Sequence, residues 1–438
     1  DHGVAVELQF AGSGTLLGNI EASGKGDLYL AADSGYIEIA RGEGLVEEAL
    51  PVCYLTAGLI VPKGNPLGLS SLTDLRDREG LRIVLANPEA ASVGKFTKKV
   101  LAKAGLWEEI GPRVLAMKPT VNELANDVKL GAADIAIAWD AVANQYPDLE
   151  FINVPEFDSE KKDVTFGLLA STERPSQALK FARYASARDR GLEVFAADGY
   201  EIIDGDKWSP EPELVFFSGA MLGPAIRERM ERFEQREGVD LKFVPNGCGI
   251  LVSQMRAGAR PDAYFSCDVS FMDDVQDLFG EARTVSANDI VILVSNDARG
   301  KVAEVGDLAA PGVEVGLAHP ENSALGALTV RLLDALGIDL GENKKLDSAT
   351  GDFLVNQLRT GSLDAVIVYR SNAMANPATL EDGFIVDIEH PLAVAHQPFA
   401  VGNSSDHKLL SRRLFEALTA EEGKDEFLKY GFRWELAD

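Results

Sequence analysis

The feature that most constrains the fold of this chain is an internal repeat. Residues 8–33 read as a short apolar strand, a glycine-flanked turn, an amphipathic helix and a second strand ending in Asp, and residues 243–268 repeat this order without a gap. Ser13 in the first turn aligns with Cys248 in the second. Similarity over such a length indicates that one folding unit is present twice, so the fold has to be explained twice.

The repeat runs along the whole chain. Further pairs of segments align at an offset that falls only from 235 to 230 residues, namely 85–106 with 317–338 and 121–143 with 351–373. The joint lies near Pro210 and Pro212, which interrupt any regular element there. The sequence therefore predicts a duplicated domain, with copy one at 1–208 and copy two at 213–438.

The two copies differ at their beginnings. Copy two opens with a strand, a glycine turn and a helix at 213–239, whereas residues 1–4 already align with 236–239. Copy one thus has no counterpart of the first strand and helix, either because the sequence is truncated or because this copy is degenerate. Truncation is the expectation, since a sheet without an inner strand exposes apolar edges.

Strand and helix patterns alternate within each copy. Short runs rich in Val, Ile and Phe, such as 289–296 and 364–369, are typical of strands buried on both faces of a parallel sheet. The segment 224–238 has a helical pattern, with Pro224 near its start and Gly238 after its end. The sequence predicts a doubly wound α/β fold in each copy.

Charge and composition exclude several classes of partner. The net charge of −27 argues against nucleic acid or an anionic membrane surface. No apolar run reaches the length of a membrane span, and no basic-then-apolar leader is present, so a secretion signal is either absent or already removed. The three cysteines are too few for a disulfide scaffold, and the odd number leaves at least one thiol unpaired.

Motifs for catalysis are missing from the sequence. We find no P-loop, no GxGxxG turn after a first strand, no HExxH and no paired CxxC. We therefore predict a protein that is not an enzyme, with no catalytic residues, no cofactor and no metal site. An enzyme or redox protein that uses Cys248 stays open as an alternative.

Small residues mark the turns that lead from strand to helix. These helix starts have unpaired backbone N–H groups and a positive dipole end, and glycine permits close approach of a ligand to the backbone. Several such starts in one crevice would bind a compact anion. Ordinary capping is the other interpretation, and residues 120–123 form a sound capping box. Spacing alone predicts only an α/β protein with turns that suit anions.

A resemblance to a known family adds to this interpretation. The segments "FAGSGTLLGNIEASGKGDLYLAAD", "ANPEAASVGKF", "DIAIAWDAVA" and "VIVYRSNA" resemble, in order and spacing, the molybdate-binding periplasmic proteins of ABC importers. The resemblance covers nearly the whole chain, twice. It implies two tandem domains of the type II periplasmic-binding fold, each with two α/β lobes, crossing strands and a ligand cleft. The second lobe is expected at 58–147 in copy one and at 290–376 in copy two, with the chain crossing back near 163–170 and 396–402.

The resemblance also implies a set of ligand-binding positions. The family holds molybdate or tungstate through serine hydroxyls, amides at helix starts and one tyrosine hydroxyl. Carried over, these positions are Ser13, Val93, Gly94 and Val121 in copy one, and Ala220, Met221, Cys248, Gly249, Leu325, Gly326, Gly351 and Tyr369 in copy two. Trp139 stands where copy one would have the tyrosine. Copy two is therefore expected to be the principal site.

The function implied is that of an extracytoplasmic solute-binding protein of an ABC transporter. Such a protein would face the periplasm or the cell exterior, bind a small oxyanion and meet a permease, without entering the membrane itself. The alternatives are a sensor for another small anion or an organic ligand, and a thiol-dependent protein using Cys248. At Cys248 we expect a neutral thiol lining the cleft, because a disulfide with Cys267 requires Cα atoms within about 7 Å and the first strand usually runs between the two positions.

Overall fold

The repeat seen in the sequence separates the chain into two units. In the computed structural model, which describes residues 5–158 and 161–437, unit 1 is Asp1–Pro210 and unit 2 is Glu211–Asp438. Each unit combines helices with two groups of strands. The predicted duplicated α/β fold is confirmed, whereas residues 1–4, which were aligned with 236–239, lie outside the described residues.

Unit 1 alternates short strands and helices. Its strands are β1 Leu28–Ala31, β2 Val46–Leu55, β3 Ala57–Pro62, β4 Ile83–Ala86, β5 Val114–Lys118, β6 Ile135–Trp139, β7 Leu149–Ile152, β8 Lys162–Leu169 and β9 Glu201–Ile202. Its helices are α1 Ser13–Ser23, α2 Ser34–Gly42, α3 Leu72–Asp77, α4 Ser92–Lys103, α5 Trp107–Ile110, α6 Val121–Lys129, α7 Asp140–Asn144, α8 Pro155–Asp158, α9 Pro175–Ala185 and α10 Gly191–Ala197.

Two sheets define the lobes of unit 1. The first has the order β1-β8-β2-β9 and the second the order β5-β4-β6-β3-β7. The chain passes from one to the other at Thr56, the single residue between β2 and β3, and β8 belongs again to the first sheet. All five residues of β6 are buried, as expected for a strand covered on both faces.

Unit 2 follows the same order and begins with an additional strand and helix. Its strands are β10 Glu213–Gly219, β11 Asp240–Asn246, β12 Ala263–Phe265, β13 Arg283–Ser295, β14 Val315–Ala318, β15 Lys344–Ser348, β16 Ala365–Tyr369, β17 Gly383–Asp387, β18 Val394–Val401 and β19 Arg433–Trp434. Its helices are α11 Gly223–Glu237, α12 Cys248–Arg256, α13 Val269–Asp273, α14 Ala324–Leu336, α15 Gly351–Arg359, α16 Arg370–Met374, α17 Thr379–Asp382, α18 Lys408–Thr419 and α19 Glu421–Lys429.

One long strand connects the lobes of unit 2. The strand order is β11-β10-β12-β18-β13-β16-β14-β15, with β17 and β19 also paired to β13. The first half of β13, to Asp289, pairs with β18 and β19, and the second half, from Ile290, pairs with β16 and β17. The hydrogen-bonded order is thus continuous, and β13 is the crossing strand expected near residue 290.

The strand predicted at residues 8–10 is wrong. Residues 5–12 carry no secondary structure, and Leu8 and Phe10 are 67% and 88% exposed. In unit 2 the equivalent strand, β11, pairs with β10 along its whole length. The described part of unit 1 contains no strand equivalent to β10, so the segment has the apolar residues of a strand without its hydrogen-bonding partner.

The ends of helix α11 were predicted correctly from the sequence. Helix α11 has Pro224 in its first turn and ends at Gly238, whose φ of 63° lies in the left-handed region that favours glycine. Among the described residues, none of the helices has the length and hydropathy needed to span a bilayer.

Candidate functional site

Three helix starts meet in unit 2. A Cβ at Gly247, just before α12, would lie 2.9 Å from the carbonyl oxygen of Ala349 and within 3.0 Å of that of Asn322. Asn322 lies two residues before α14, and Ala349 lies two residues before α15. Because first-turn N–H groups lack an intrahelical acceptor and carry the positive end of the helix dipole, three sets of donors converge on one place between the lobes.

Unit 1 has the same arrangement. A Cβ at Gly12, just before α1, would lie 2.9 Å from the carbonyl oxygen of Pro119 and within 3.0 Å of that of Ala90. These residues precede α6 and α4 by two positions each. The N–H of Thr15 donates to the carbonyl oxygen of Ala90 at 3.4 Å, so the two lobes are in direct backbone contact.

A disulfide corrects the expectation for Cys248. Cys248 is bonded to Cys267, with a Cα–Cα distance of 6.2 Å, so the neutral thiol predicted at the start of α12 is wrong. The sulfur of Cys248 carries no hydrogen and donates nothing to a ligand, which leaves the backbone N–H groups of Cys248 and Gly249 as the donors there. The alternative of a thiol-dependent protein using Cys248 requires a free thiol, which the disulfide-bonded Cys248 does not have.

Gly219 explains why the pairing is possible. The first strand of unit 2, β10, does run between β11, which precedes Cys248, and β12, which precedes Cys267, but it ends at Gly219. A Cβ at Gly219 would lie 2.6 Å from the sulfur of Cys267 and 3.3 Å from that of Cys248. The absence of a side chain at this strand end therefore leaves the space that the disulfide occupies.

In unit 1, a hydrogen bond of Ser13 makes the connection that the disulfide makes in unit 2. The hydroxyl of Ser13, which is buried, accepts a hydrogen bond from the N–H of Ala32 at 3.2 Å. Ala32 aligns with Cys267, whose N–H points to the sulfur of Cys248 at 3.0 Å. Both arrangements tie a helix start to the loop after the next strand. The hydroxyl hydrogen of Ser13 is not consumed by this bond and can still be donated.

The helix starts in the second lobes, α4 and α14, are tightly packed. The side chains of Val93 and Leu325 are buried in the cores, so only their backbones can face a ligand. A Cβ at Gly94 would lie 2.6 Å from the carbonyl oxygen of Ala86, and one at Gly326 would lie 2.5 Å from that at the end of β14. Both glycines let the helix pack onto the end of the preceding strand, a role that the sequence did not distinguish from ligand binding.

The third pair of helix starts begins at Val121 and Gly351. Thr120 caps α6, because its hydroxyl accepts a first-turn N–H at 3.3 Å, and the predicted cap is confirmed. A Cβ at Gly351 would fall within 3.0 Å of the carboxamide of Asn372. That carboxamide accepts the N–H of Tyr369 at 3.2 Å, so it joins the end of β16 to the start of α15.

An acidic residue at this helix start was missed by the sequence reasoning. Asp352, in the first turn of α15, accepts a hydrogen bond from Asn372 at 2.8 Å. Burial raises the pKa of the Asp352 carboxyl, and the hydrogen bond from Asn372 lowers it by a smaller amount. No motif singles out this pair in the sequence, because the partners are 20 residues apart and meet only through the strand–helix geometry.

Tyr369 carries an unsatisfied hydroxyl. The residue ends β16 and is 3% exposed, yet among the described residues its hydroxyl has no hydrogen-bond partner. Burial raises the pKa of Tyr369 well above its ordinary value, and the charge of Asp268 raises it further, so the group is protonated and is a donor. Asp268 belongs to the first lobe, where it caps α13, so the electrostatic environment of this hydroxyl includes both lobes.

In unit 1, Trp139 replaces this tyrosine. Its ring stacks on that of Phe96 with centroids 6.1 Å apart, and the amine of Lys162 lies 4.9 Å from the centroid of Phe96. Both rings are buried in the core, so unit 1 has packed aromatic side chains where unit 2 has a tyrosine hydroxyl.

The turn after β10 contributes backbone groups only. Met221 is 5% exposed and packs in the core of unit 2, and Ala220 has no polar side-chain atom. The buried hydroxyl of Ser218 donates to the carbonyl oxygen of Gly219 at 3.3 Å. Ser218, the serine near the end of β10, was not among the predicted site residues.

Comparison with known proteins agrees with the duplicated fold. The family described as bacterial extracellular solute-binding protein matches residues 1–201 and 214–433. The molybdate-binding protein ModA of Mycobacterium tuberculosis is 31% identical over 166 residues, which are 37% of this chain and 62% of that protein. A putative binding protein of Haemophilus influenzae is 24% identical over 199 residues, which are 45% of this chain and 80% of that protein.

Among solved structures, the periplasmic molybdate-binding protein of Azotobacter vinelandii aligns with a TM-score of 0.45 and 16% identity, over 51% of this chain and 100% of that one. The chain spans less than two thirds of the length of ModA. The family match, in contrast, covers almost all of both units. The chain belongs to the bacterial extracellular solute-binding proteins and carries two domains of that family.

Proposed function

We propose that the chain is the extracytoplasmic solute-binding component of an ABC transporter and that unit 2 binds a small oxyanion of the molybdate or tungstate type between its lobes. The observation that carries this proposal is the hydroxyl of Tyr369, a buried and protonated donor without a partner among the described residues. Leaving a buried donor unsatisfied costs about 1–3 kcal/mol, which a ligand oxygen would recover.

The helix starts support an anionic ligand. The donors of the site are the N–H groups near Cys248 and Gly249, near Leu325 and Gly326, and at Gly351, with Ala220 and Met221 at the adjoining turn. Hydrogen bonds to a charged acceptor are worth about 1.5–3 kcal/mol each. Such neutral dipoles are also the means by which a chain of net charge −27 can hold an anion that its long-range field repels.

Unit 1 is proposed to be the weaker site. It retains backbone donors at Val93, Gly94 and Val121 and the hydroxyl of Ser13, but Trp139 supplies no hydroxyl. The ring of Trp139 is buried against Phe96 and cannot take over the role of the missing hydroxyl.

The relatives support the class of ligand and the location. ModA of Mycobacterium tuberculosis is named as molybdate-binding, and a relative in Bacillus subtilis is named as a putative ABC transporter substrate-binding lipoprotein. A permease partner and a periplasmic or extracellular-facing location follow for this chain as parts of the proposal.

Calorimetric titration tests the proposal directly. The full chain is titrated with molybdate, tungstate, sulfate and phosphate, and the same titrations are repeated with Tyr369→Phe. We expect a saturable site for one of these anions and a roughly tenfold weaker affinity in the variant, because one hydrogen bond to a charged ligand is removed.

Tyr430→Phe is the matched control, since this tyrosine lies at the end of α19 and its ring is contacted by Lys429 instead of facing the cleft. Its affinity should equal that of the parent. An unchanged affinity in Tyr369→Phe would mean that the hydroxyl is only part of the core, and absence of binding by the parent to all four anions would remove the oxyanion proposal and favour an organic ligand.

A further inference from the structure

We propose that Gly247 and Gly249 determine how closely the two lobes of unit 2 approach, and thereby the affinity of the site and the size of ligand that it admits. This inference rests on the proposed function, in that the cleft between the lobes is taken to be the ligand site. It assigns to these glycines a role in lobe closure, in addition to the close approach of a ligand expected from the sequence.

The contacts at these glycines are made across the cleft by backbone atoms. A Cβ at Gly249 would fall within 3.0 Å of the carbonyl oxygen of Glu321, and one at Gly247 within 3.0 Å of those of Asn322 and Ala349. Real Cβ atoms essentially never come that close to another heavy atom. Since carbonyl oxygens cannot rotate away as a flexible side chain can, a methyl group at either position would hold the lobes apart.

Unit 1 makes the same contacts with different side chains. Gly12 faces the carbonyl oxygens of Ala90 and Pro119, and a Cβ at Gly14 would lie 2.9 Å from the carbonyl oxygen of Glu89. Ala90 and Pro119 align with the Asn and Ala that face Gly247 in unit 2. The residues that face Gly12 and Gly247 thus differ between the units, a Glu faces the second glycine in both, and the glycines and the carbonyl oxygens recur.

Backbone conformation does not explain these glycines. Gly247 has φ −61° and ψ 135°, and Gly12 has φ −64° and ψ 149°, which are extended conformations that any residue adopts. Gly249 lies within the first turn of α12, where glycine is a poorer helix former than alanine. The requirement that remains is space for the facing lobe.

The class of ligand follows from this contact. A ligand held behind the start of α12 has no passage for a substituent between Gly249 and Glu321, because backbone atoms of the two lobes already meet there. The closed unit therefore suits a compact anion of a few heavy atoms, and an elongated anion would prevent the glycine contacts from forming.

The test replaces the contact glycines, and one glycine at a control position, by alanine. Gly249→Ala and Gly247→Ala are made in the full chain, with Gly223→Ala as the control, because Gly223 also begins a helix of unit 2 and a Cβ there would meet nothing within 4 Å. With tungstate as the probe, we expect affinity to fall at least tenfold in both contact variants and to stay within twofold of the parent in the control.

The unfolding midpoint without ligand distinguishes a role of the glycines in lobe closure from a role in the packing needed for folding. If the lobes can open, the contact variants relieve the clash by opening, and their unfolding midpoints without ligand equal or exceed that of Gly223→Ala. A midpoint clearly below the control would show that the glycines are needed for folding and would overturn the proposal, as would a tungstate affinity within twofold of the parent.

A distance measurement keeps the test independent of the ligand. Nitroxide labels at Lys242→Cys and Lys345→Cys mark β11 and β15, the outermost strands of the two lobes, and pulsed electron resonance gives their distance distribution. The ligand-free parent should contain a short-distance population that Gly249→Ala lacks. If the parent binds no anion, the proposed function fails while this result still decides the closure contact; a parent without the short-distance population overturns the inference.

Discussion

Removing the disulfide of unit 2 offers the most informative stability prediction. The double variant Cys248→Ser with Cys267→Ala reproduces the residues that unit 1 has at the same positions, Ser13 and Ala32. In unit 1 this pair forms a hydrogen bond of 3.2 Å, so the variant has a structural precedent within the same chain.

The expected loss can be worked out from the size of the closed loop. The cysteines are 19 residues apart, and the chain-entropy account of disulfides gives roughly 3 kcal/mol for such a loop. In the variant the N–H at position 267, which points to the sulfur of Cys248 in the parent, donates to the serine hydroxyl, and this hydrogen bond returns about 0.5–1.5 kcal/mol. The unfolding free energy of unit 2 should therefore fall by roughly 2 kcal/mol.

Urea unfolding followed by hydrogen exchange of separate peptides measures this in the full chain. Peptides from 213–438 should lose protection at lower urea in the variant, and peptides from 5–158 serve as the internal control because they should not change. The same variant should bind tungstate more tightly than the parent, since a hydroxyl donor replaces a sulfur that has no hydrogen. A stability loss below 1 kcal/mol, or an equal loss in both units, would refute the reasoning.

Two further predictions concern charged groups in unit 2. Glu237 and Arg413 form a buried ion pair with Nε–Oε1 at 2.6 Å. Glu237→Gln should lower the unfolding free energy by about 3–5 kcal/mol in chemical denaturation, because it removes the negative charge of this buried pair, and a loss below 1 kcal/mol would contradict the prediction. Because burial raises the pKa of Asp352 in the folded state, its contribution to stability is present below the unfolded pKa of about 4 and is lost as pH rises through the folded pKa. Asp352→Asn should remove that pH dependence and strengthen anion binding at neutral pH, and pH-resolved unfolding and titration that match the parent would contradict the prediction.

The sequence predicted the architecture because its signals are local or repeated. Residues 8–33 and 243–268 align without a gap, and turn residues such as Thr120 and Gly238 fix helix ends through contacts a few positions away. The helix ends depend only on the chain close to the residue concerned, and the repeat is visible as direct similarity between two segments. The prediction failed at residues 8–10, where strand formation depends on a partner strand and not on the segment itself.

The site was predicted less completely because it depends on contacts between residues that are far apart in the chain. The disulfide at Cys248 requires the space left by Gly219, which lies 29 positions before it in the chain and has no pattern that announces this role. The glycines of the turns were recognised, but their contact with carbonyl oxygens of the facing lobe has no signature in the sequence. The position of Tyr369 was found through the family resemblance, while the lack of a partner for its hydroxyl required the structure.

The crossing strands of the two units have a kinetic consequence. In unit 2, β13 runs from one lobe into the other as a single paired strand, so opening has to twist hydrogen-bonded backbone. In unit 1 the chain leaves β2 and enters β3 with only Thr56 between them, so the pairing of the crossing segment is interrupted at that residue. If both units bind a solute as proposed, we expect unit 2 to open more slowly and to retain its solute for longer than unit 1, so that the two solutes would be released on separate time scales.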